Sequence, residues 1–387
     1  LSLSSRERVM AALNHEPPDR VPIDIGGMYN LTTLHRDAYE NLLRYLGKEP
    51  DDITISYLNS QSVEVNQAFR DRFHADCVPI YLNNPTFRDT EIHQEEDGTK
   101  WYRDEWGVKW KKPASGIYYD AVEHPLSGST KEEIEKFEPP NPRDPRKIEG
   151  MANKARTIYD ESEYCLVVNG ALGGTVFMAG QWLLGVEELF RRVVTDSEAI
   201  RALLKKILNF QLQQWETILN EVGEFCQVGV IADDLGSQNN PLISPEIYSD
   251  LVKPFQKELC SFLKDEGKLK VVYHSDGAIQ EFIPDLIEIG VDAWNPIQVS
   301  AGNLDDTAGL NEEFGEAIAF WGGGCNKATL ANGSREDVRK EVERRMKDLA
   351  PGGGFIASSV HNIQRDIPPE NIKAFYESLY EFGKKVY

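Results

Sequence analysis

Along most of the chain, short runs of consecutive apolar residues alternate with longer stretches of helical periodicity. The runs are VPIDIGG from Val21, CVPIYL from Cys77, CLVVNG from Cys165 and VGVIADDL from Val228. They continue as KVVYHSDG from Lys270, VDAWNP from Val291, AIAFWGGG from Ala317 and GGFIASSV from Gly353. Apolar residues on neighbouring positions suit strands of a parallel sheet buried on both faces. Between most of these runs lie amphipathic stretches, such as ELFRRVVTDSEAIRALLKKILNFQLQQWETILNEV and SREDVRKEVERRMKDLA. Ser5 announces a first helix that stops before Pro17-Pro18. Eight strands with intervening helices predict an α/β fold, a (β/α)8 TIM barrel spanning residues 1–387 as one domain. A doubly wound sheet is the competitor, but no GxGxxG turn follows the first strand.

One segment breaks the rhythm. Residues 91–125 carry Asp97-Gly98, Gly116 and three tryptophans. They read as antiparallel hairpins inserted after the second strand, with Trp106 and Trp110 four apart on one strand face. EPPNPRDPRK, residues 138–147, is a proline-rich connector back to the barrel.

Composition narrows the function classes. The 387 residues carry a net charge of −21, which disfavours nucleic acid and anionic membranes as partners. No apolar run approaches the roughly 20 residues of a membrane span. Five scattered cysteines without a CxxC pair make no disulfide framework, and the opening residues lack an apolar signal-peptide core. A cytoplasmic enzyme with a small-molecule substrate is the expectation.

In barrels of this kind the chemistry sits at the C-terminal ends of the strands. His274 and Asp276 at the fifth end share a side of the chain by alternation. His361 at the eighth end completes two imidazoles and a carboxylate, a usual catalytic zinc set with one position open. Cys325 at the seventh end reads more readily as a small buried residue than as a ligand. Asp233 and Asp234 point oppositely, one structural and one facing substrate. Asp24, Met28, Gln238, Asn295, Trp106 and Cys325 are the expected substrate contacts.

The order of these motifs resembles the uroporphyrinogen decarboxylase superfamily. The resemblance is carried by RERVMAALNHEPPDRVP, DDLGSQNNPLISPEIYSDLVKPF, HSDGAIQEFIPDLIEIGVDAWNPIQ and LAPGGGFIASSVHNIQRDIPPENIKAFYE. It implies a (β/α)8 barrel and a homodimer paired through the barrel mouth. Its decarboxylases carry an arginine-rich signature after the first strand, where this chain has Asp24-Ile25-Gly26-Gly27-Met28-Tyr29-Asn30. The resemblance pairs Asp76 with the decarboxylases' cleft aspartate and so implies a catalytic role for it. The methyltransferase branch is the closer match. Its His-x-Cys and distant Cys fall on His274, Asp276 and His361, the last nine residues before Glu370. Nitrogen and oxygen donors in place of thiolates leave zinc more Lewis acidic. The implied activity is methyl transfer from a small O- or N-methylated donor to a corrinoid protein or tetrahydrofolate, with Asp234 catalytic. Porphyrinogen-type decarboxylation and a silent corrinoid-binding subunit are the alternatives.

Overall fold

The computed structural model describes residues 2–83, 91–170 and 174–387. Ile55–Tyr57 (β1) and Ser62–Val63 (β2) form a short antiparallel pair. Cys77–Tyr81 (β3) opens the main sheet. His93–Gln94 (β4), Lys100–Arg103 (β5), Lys109–Lys112 (β6) and Asp120–Glu123 (β7) then form a separate four-stranded antiparallel sheet. The main sheet resumes with Cys165–Asn169 (β8), Val228–Ala232 (β9), Lys270–His274 (β10), Ala293–Asn295 (β11), Ala319–Trp321 (β12) and Phe355–Ile356 (β13). Its seven strands are parallel, in the order β13-β12-β11-β10-β9-β8-β3, and curl into an incomplete barrel.

The first apolar run does not become a strand. It contributes one parallel bridge, Ile23 to Ala357, between the two edges of the sheet. Pro22 has no N–H to give a ladder. The Ile23 N–H donates instead to the Asp76 carboxylate at 2.8 Å. Asp24 then accepts the Gly27 N–H at 2.6 Å and the Thr32 hydroxyl at 2.8 Å, turning the chain away.

Inside the curl, alternate strand residues Cys77, Cys165, Val167, Val228, Val230, Val272, Ala293, Ala319 and Ile356 pack together with Met28 and Trp321. Helix Ser5–Leu13 plugs the N-terminal end with Val9, Ala12 and Leu13. Its N-cap is Ser4, one residue before the expected signal, because Ser4 and Glu7 form a reciprocal capping box. The long helical stretch from Glu188 is two helices, Val186–Thr195 and Ser197–Val222. Asp196 leaves helical geometry between them and caps the second through the Ala199 N–H. In the next stretch, Pro254 cannot donate to the Asp250 carbonyl, which accepts from Arg201 at 2.9 Å instead. The preceding residues, Tyr248–Val252, widen into a π turn. No helix among the described residues is long and apolar enough to cross a membrane.

Asp76 lies at the N-terminal end, immediately before β3, and is fully buried. Arg8 reaches its carboxylate at 2.7 Å, Arg20 at 2.7 and 2.8 Å, and the Ser5 hydroxyl at 2.8 Å. Its own N–H donates to Ile23 and its carbonyl accepts from Cys165. The catalytic role expected for Asp76 finds no place here, since every carboxylate oxygen is engaged by the barrel floor. Truncating one partner of a buried pair leaves the other charge uncompensated, which costs about 3–5 kcal/mol. Asp76→Ala should lower the unfolding free energy by that order in urea titration, while metal content per folded molecule stays unchanged. Loss of metal at full stability would instead tie Asp76 to the site.

Candidate metal centre

At the opposite end of the barrel, β10 stops at His274, and its in-register neighbour on β11 is Asn295. The two side chains meet, with His274 Nδ1 2.5 Å from Asn295 Oδ1. The Asn295 amide is oriented by its own N–H to the Trp321 carbonyl at 2.7 Å, so Oδ1 must accept and Nδ1 must carry the proton. Nε2 of His274 is thereby left as a lone-pair donor facing the barrel mouth.

Asp276 follows two residues on. Gly277, at φ +87°, lets this loop lie against the end of β9: a Cβ there would sit 2.3 Å from the Gly236 carbonyl carbon. That close approach sets the Asp276 N–H 3.0 Å from Asp234 Oδ1. His361 enters from the segment after β13. Its Nδ1 bonds to Asn362 Oδ1, and its Nε2 lies 3.8 Å from Asp276 Oδ2. One donor atom each from His274, Asp276 and His361 lies within 4.8 Å of the others. His274 Nε2 is also 3.9 Å from Asp234 Oδ1.

Asp276 Oδ1 is buried without a hydrogen-bond partner. An orphaned carboxylate oxygen beside two imidazole nitrogens is the condition a cation would relieve. Burial opposes charge on Asp276, yet His361, His274 and Lys327 hold its carboxyl below the usual range. Asp234 moves the other way: burial, then the Asp276 charge, push it up. Burial brings the His361 imidazole down to about 4, with Lys327 and His274 adding to the shift against the pull of Asp276.

The group opens into a cavity of about 180 Å³, walled also by Asn30, Leu31, Tyr57, Asn169, Met178 and Trp182. Sequence reasoning missed all six. Asn169 alone carried a signal, as the polar end residue of β8.

Of the expected substrate contacts, the structure gathers few here. Asn295 positions His274. Asp24 spends its oxygens on Gly27, Thr32 and Trp321, the last at 2.9 Å. Met28 is barrel core. Gln238 bonds to the Ser300 carbonyl and to Gln298 on the surface. Cys325 is buried outside the cluster, with its thiol pushed up by burial and its Sγ 3.6 Å from the Asn326 carbonyl. Trp106 lies in the turn between β5 and β6, so it shares no strand face with Trp110. Asp233 takes the structural role, accepting N–H groups of Val176 and Met178 at the start of helix Phe177–Leu184.

A parallel sheet curled into an incomplete α/β barrel thus carries a candidate His/Asp/His metal site at its C-terminal end. The chain belongs to the uroporphyrinogen decarboxylase (URO-D) family, whose model matches residues 115–382. It is 24% identical over 209 residues to the uroporphyrinogen decarboxylase of Neisseria meningitidis serogroup C, covering 52% of this chain and 54% of that one. The Legionella pneumophila (strain Paris) uroporphyrinogen decarboxylase is 22% identical over 248 residues, covering 62% and 66%. The chain thus spans about half to two thirds of these curated relatives. A methyltransferase from Methanosarcina mazei has the same fold, with a TM-score of 0.63 at 17% identity over 98% of this chain and 99% of that one.

Two outcomes follow from the geometry. Asn295→Leu removes the partner that fixes the His274 tautomer and should weaken metal binding about 10–100-fold, read by calorimetry with Zn²⁺. In the metal-free protein, the His361 ring protons should titrate near pH 4 in NMR rather than near the ordinary 6.5. Between those values the unfolded chain binds the proton first, so His361 contributes stability above about pH 6.5 that is lost as pH falls toward 4.

Proposed function

We propose that the protein is a metal-dependent methyltransferase, taking a methyl group from a small O- or N-methylated donor and delivering it to a corrinoid protein or tetrahydrofolate. The observation that carries this reading is the orphaned Asp276 oxygen facing two imidazoles at the barrel mouth. His274, Asp276 and His361 would hold the ion, with zinc the natural choice for this donor set. Bound there, the ion would supply Lewis acidity toward a heteroatom that carries a lone pair, and positive charge on the nitrogen does the same work in a methylated ammonium donor.

The chain's own residues do the rest. Asn295 keeps His274 in the metal-binding tautomer. Asp234, with its carboxyl raised by burial and by Asp276, is the group able to hold a proton beside the leaving heteroatom. When the carbon–heteroatom bond breaks, its electron pair stays on the heteroatom: an oxygen left negative takes the Asp234 proton, whereas an ammonium leaves as the neutral amine and needs none. The acceptor's nucleophile forms the new bond to the methyl carbon. In this reading the incomplete barrel is a (β/α)8 barrel whose first stave has shrunk to Ile23, and β4–β7 is its insertion.

Decarboxylation, the activity in the relatives' names, finds less support. No arginine stands between Asp24 and Asn30 to grip a polycarboxylate, and the Asp76 carboxylate is taken up by Arg8 and Arg20. A silent corrinoid-docking subunit would not need a tuned donor set at the mouth.

The test is zinc content by elemental analysis with single-turnover methyl transfer. Wild type should carry one zinc, and His274→Ala should lose both zinc and turnover. Iodoacetamide should leave both intact, because the cysteines of the barrel are buried. A metal-free protein that decarboxylates uroporphyrinogen would sink the proposal.

A further inference from the structure

A second chamber, of about 60 Å³, lies between the antiparallel sheet and the helices Phe177–Leu184 and Ser197–Val222. Six aromatic residues wall it: Tyr57, Tyr102, Trp106, Trp110, Trp182 and Phe210. They are set at angles rather than stacked flat. Trp110 meets Trp182 edge to face at 5.1 Å, and Trp106 meets Phe210 at 4.6 Å.

Among the polar side chains of this wall, Asn59 Oδ1 accepts the Tyr102 hydroxyl, and the acidic and glutamine side chains supply further acceptors. Asp104 accepts the N–H groups of Trp106 and Val108 and the Trp110 indole N–H at 2.7 Å, all neutral donors. Among the described residues no Lys, Arg or His forms an ion pair with it. Burial pushes its carboxyl up to about 6, which leaves it mostly charged at neutral pH. Glu105, its neighbour, is already matched by the buried Lys147 ammonium at 2.8 Å. Gln211 and Gln214, both nearly fully buried, give their amide N–H groups to the Gly174 and Gly170 carbonyls. Their Oε1 atoms face no partner. The chamber thus presents ring surfaces, one uncompensated carboxylate and two acceptor oxygens.

We propose that this chamber binds a methylated ammonium group. Such a cation is held by ring faces without needing a full set of hydrogen bonds, and the Asp104 charge balances it. An N–H left on a partly methylated nitrogen would find the Gln211 or Gln214 oxygen. An anion would meet Asp104, and an uncharged methyl ether would leave that carboxylate unmatched.

Tyr57, Gly174 and Trp182 line both this chamber and the metal-bearing cavity. A methylammonium seated here therefore adjoins the candidate metal centre. As an account of substrate class the inference rests on the methyl-transfer reading; as a statement about cation binding it does not.

The test uses the metal-free full chain, titrated with tetramethylammonium chloride and, separately, with tert-butanol as a neutral body of similar shape. Tryptophan fluorescence and calorimetry report binding, with NaCl added to match ionic strength. Saturable binding of the cation and none of the alcohol is expected. Asp104→Asn and Trp106→Leu should each weaken it about tenfold, with far-ultraviolet circular dichroism confirming the fold. Equal response to cation and alcohol, no saturation, or unchanged binding in both folded variants would overturn the assignment. His274→Ala should still bind tetramethylammonium. Cation binding without methyl transfer from any donor would defeat the methyltransferase reading and spare the chamber. Transfer from methyl ethers alone, with no cation binding, would do the reverse.

Discussion

The barrel floor hangs on one buried carboxylate. Asp76 gathers Arg8 and Ser5 from the first helix, Arg20 from the chain leading out of it, and the Ile23 N–H of the reduced stave. Through its backbone it also meets β8. Without it, two arginines would face a low-polarity interior, and the sheet's two edges would lose their link through Ile23. At the opposite end, no Lys or Arg among the described residues forms an ion pair with Asp234 or Asp276; each lies near an imidazole instead. Imidazoles and carboxylates there can then answer to a ligand instead of to the fold.

Register carries that freedom upward. Pairing of β10 with β11 sets His274 beside Asn295, and the amide of Asn295 rests on the carbonyl of Trp321 at the end of β12. Trp321 in turn gives its indole N–H to Asp24, at the turn after the stave. The tautomer of one histidine is therefore fixed by residues on three separate elements. A slip of one residue in any of them would turn the imidazole away from Asp276 and His361.

Much of this could be read from the residues alone. Seven of the eight apolar runs became parallel strands, because consecutive buried positions have few other solutions. The exception, VPIDIGG, failed through Pro22 and through a side-chain acceptor 53 residues away, as no local pattern could reveal. His274, Asp276 and His361 were legible from alternation and spacing. The roles of Asp24, Asp76 and Asn295 were not, since each depends on which distant groups reach its side chain. Asp24 and Asn295 stand at strand ends, where a substrate role was the natural expectation, and are used instead to hold neighbouring elements. The antiparallel strands were legible from Asp97-Gly98, although Trp106 fell in a turn rather than on a strand, whereas the aromatic chamber required Trp182, Phe210 and two glutamines from helices far along the chain.

The donor set also has a consequence in time. His274 ends β10 and Asp276 follows it, while His361 lies beyond β13, the last strand of the sheet in chain order. The three donor atoms come within reach only when that final strand has docked and brought both sheet edges to Ile23. An ion held by all three would be acquired only after that strand has docked, through the open mouth of the barrel. Maturation would then have two separable stages, folding of the barrel and loading of the ion.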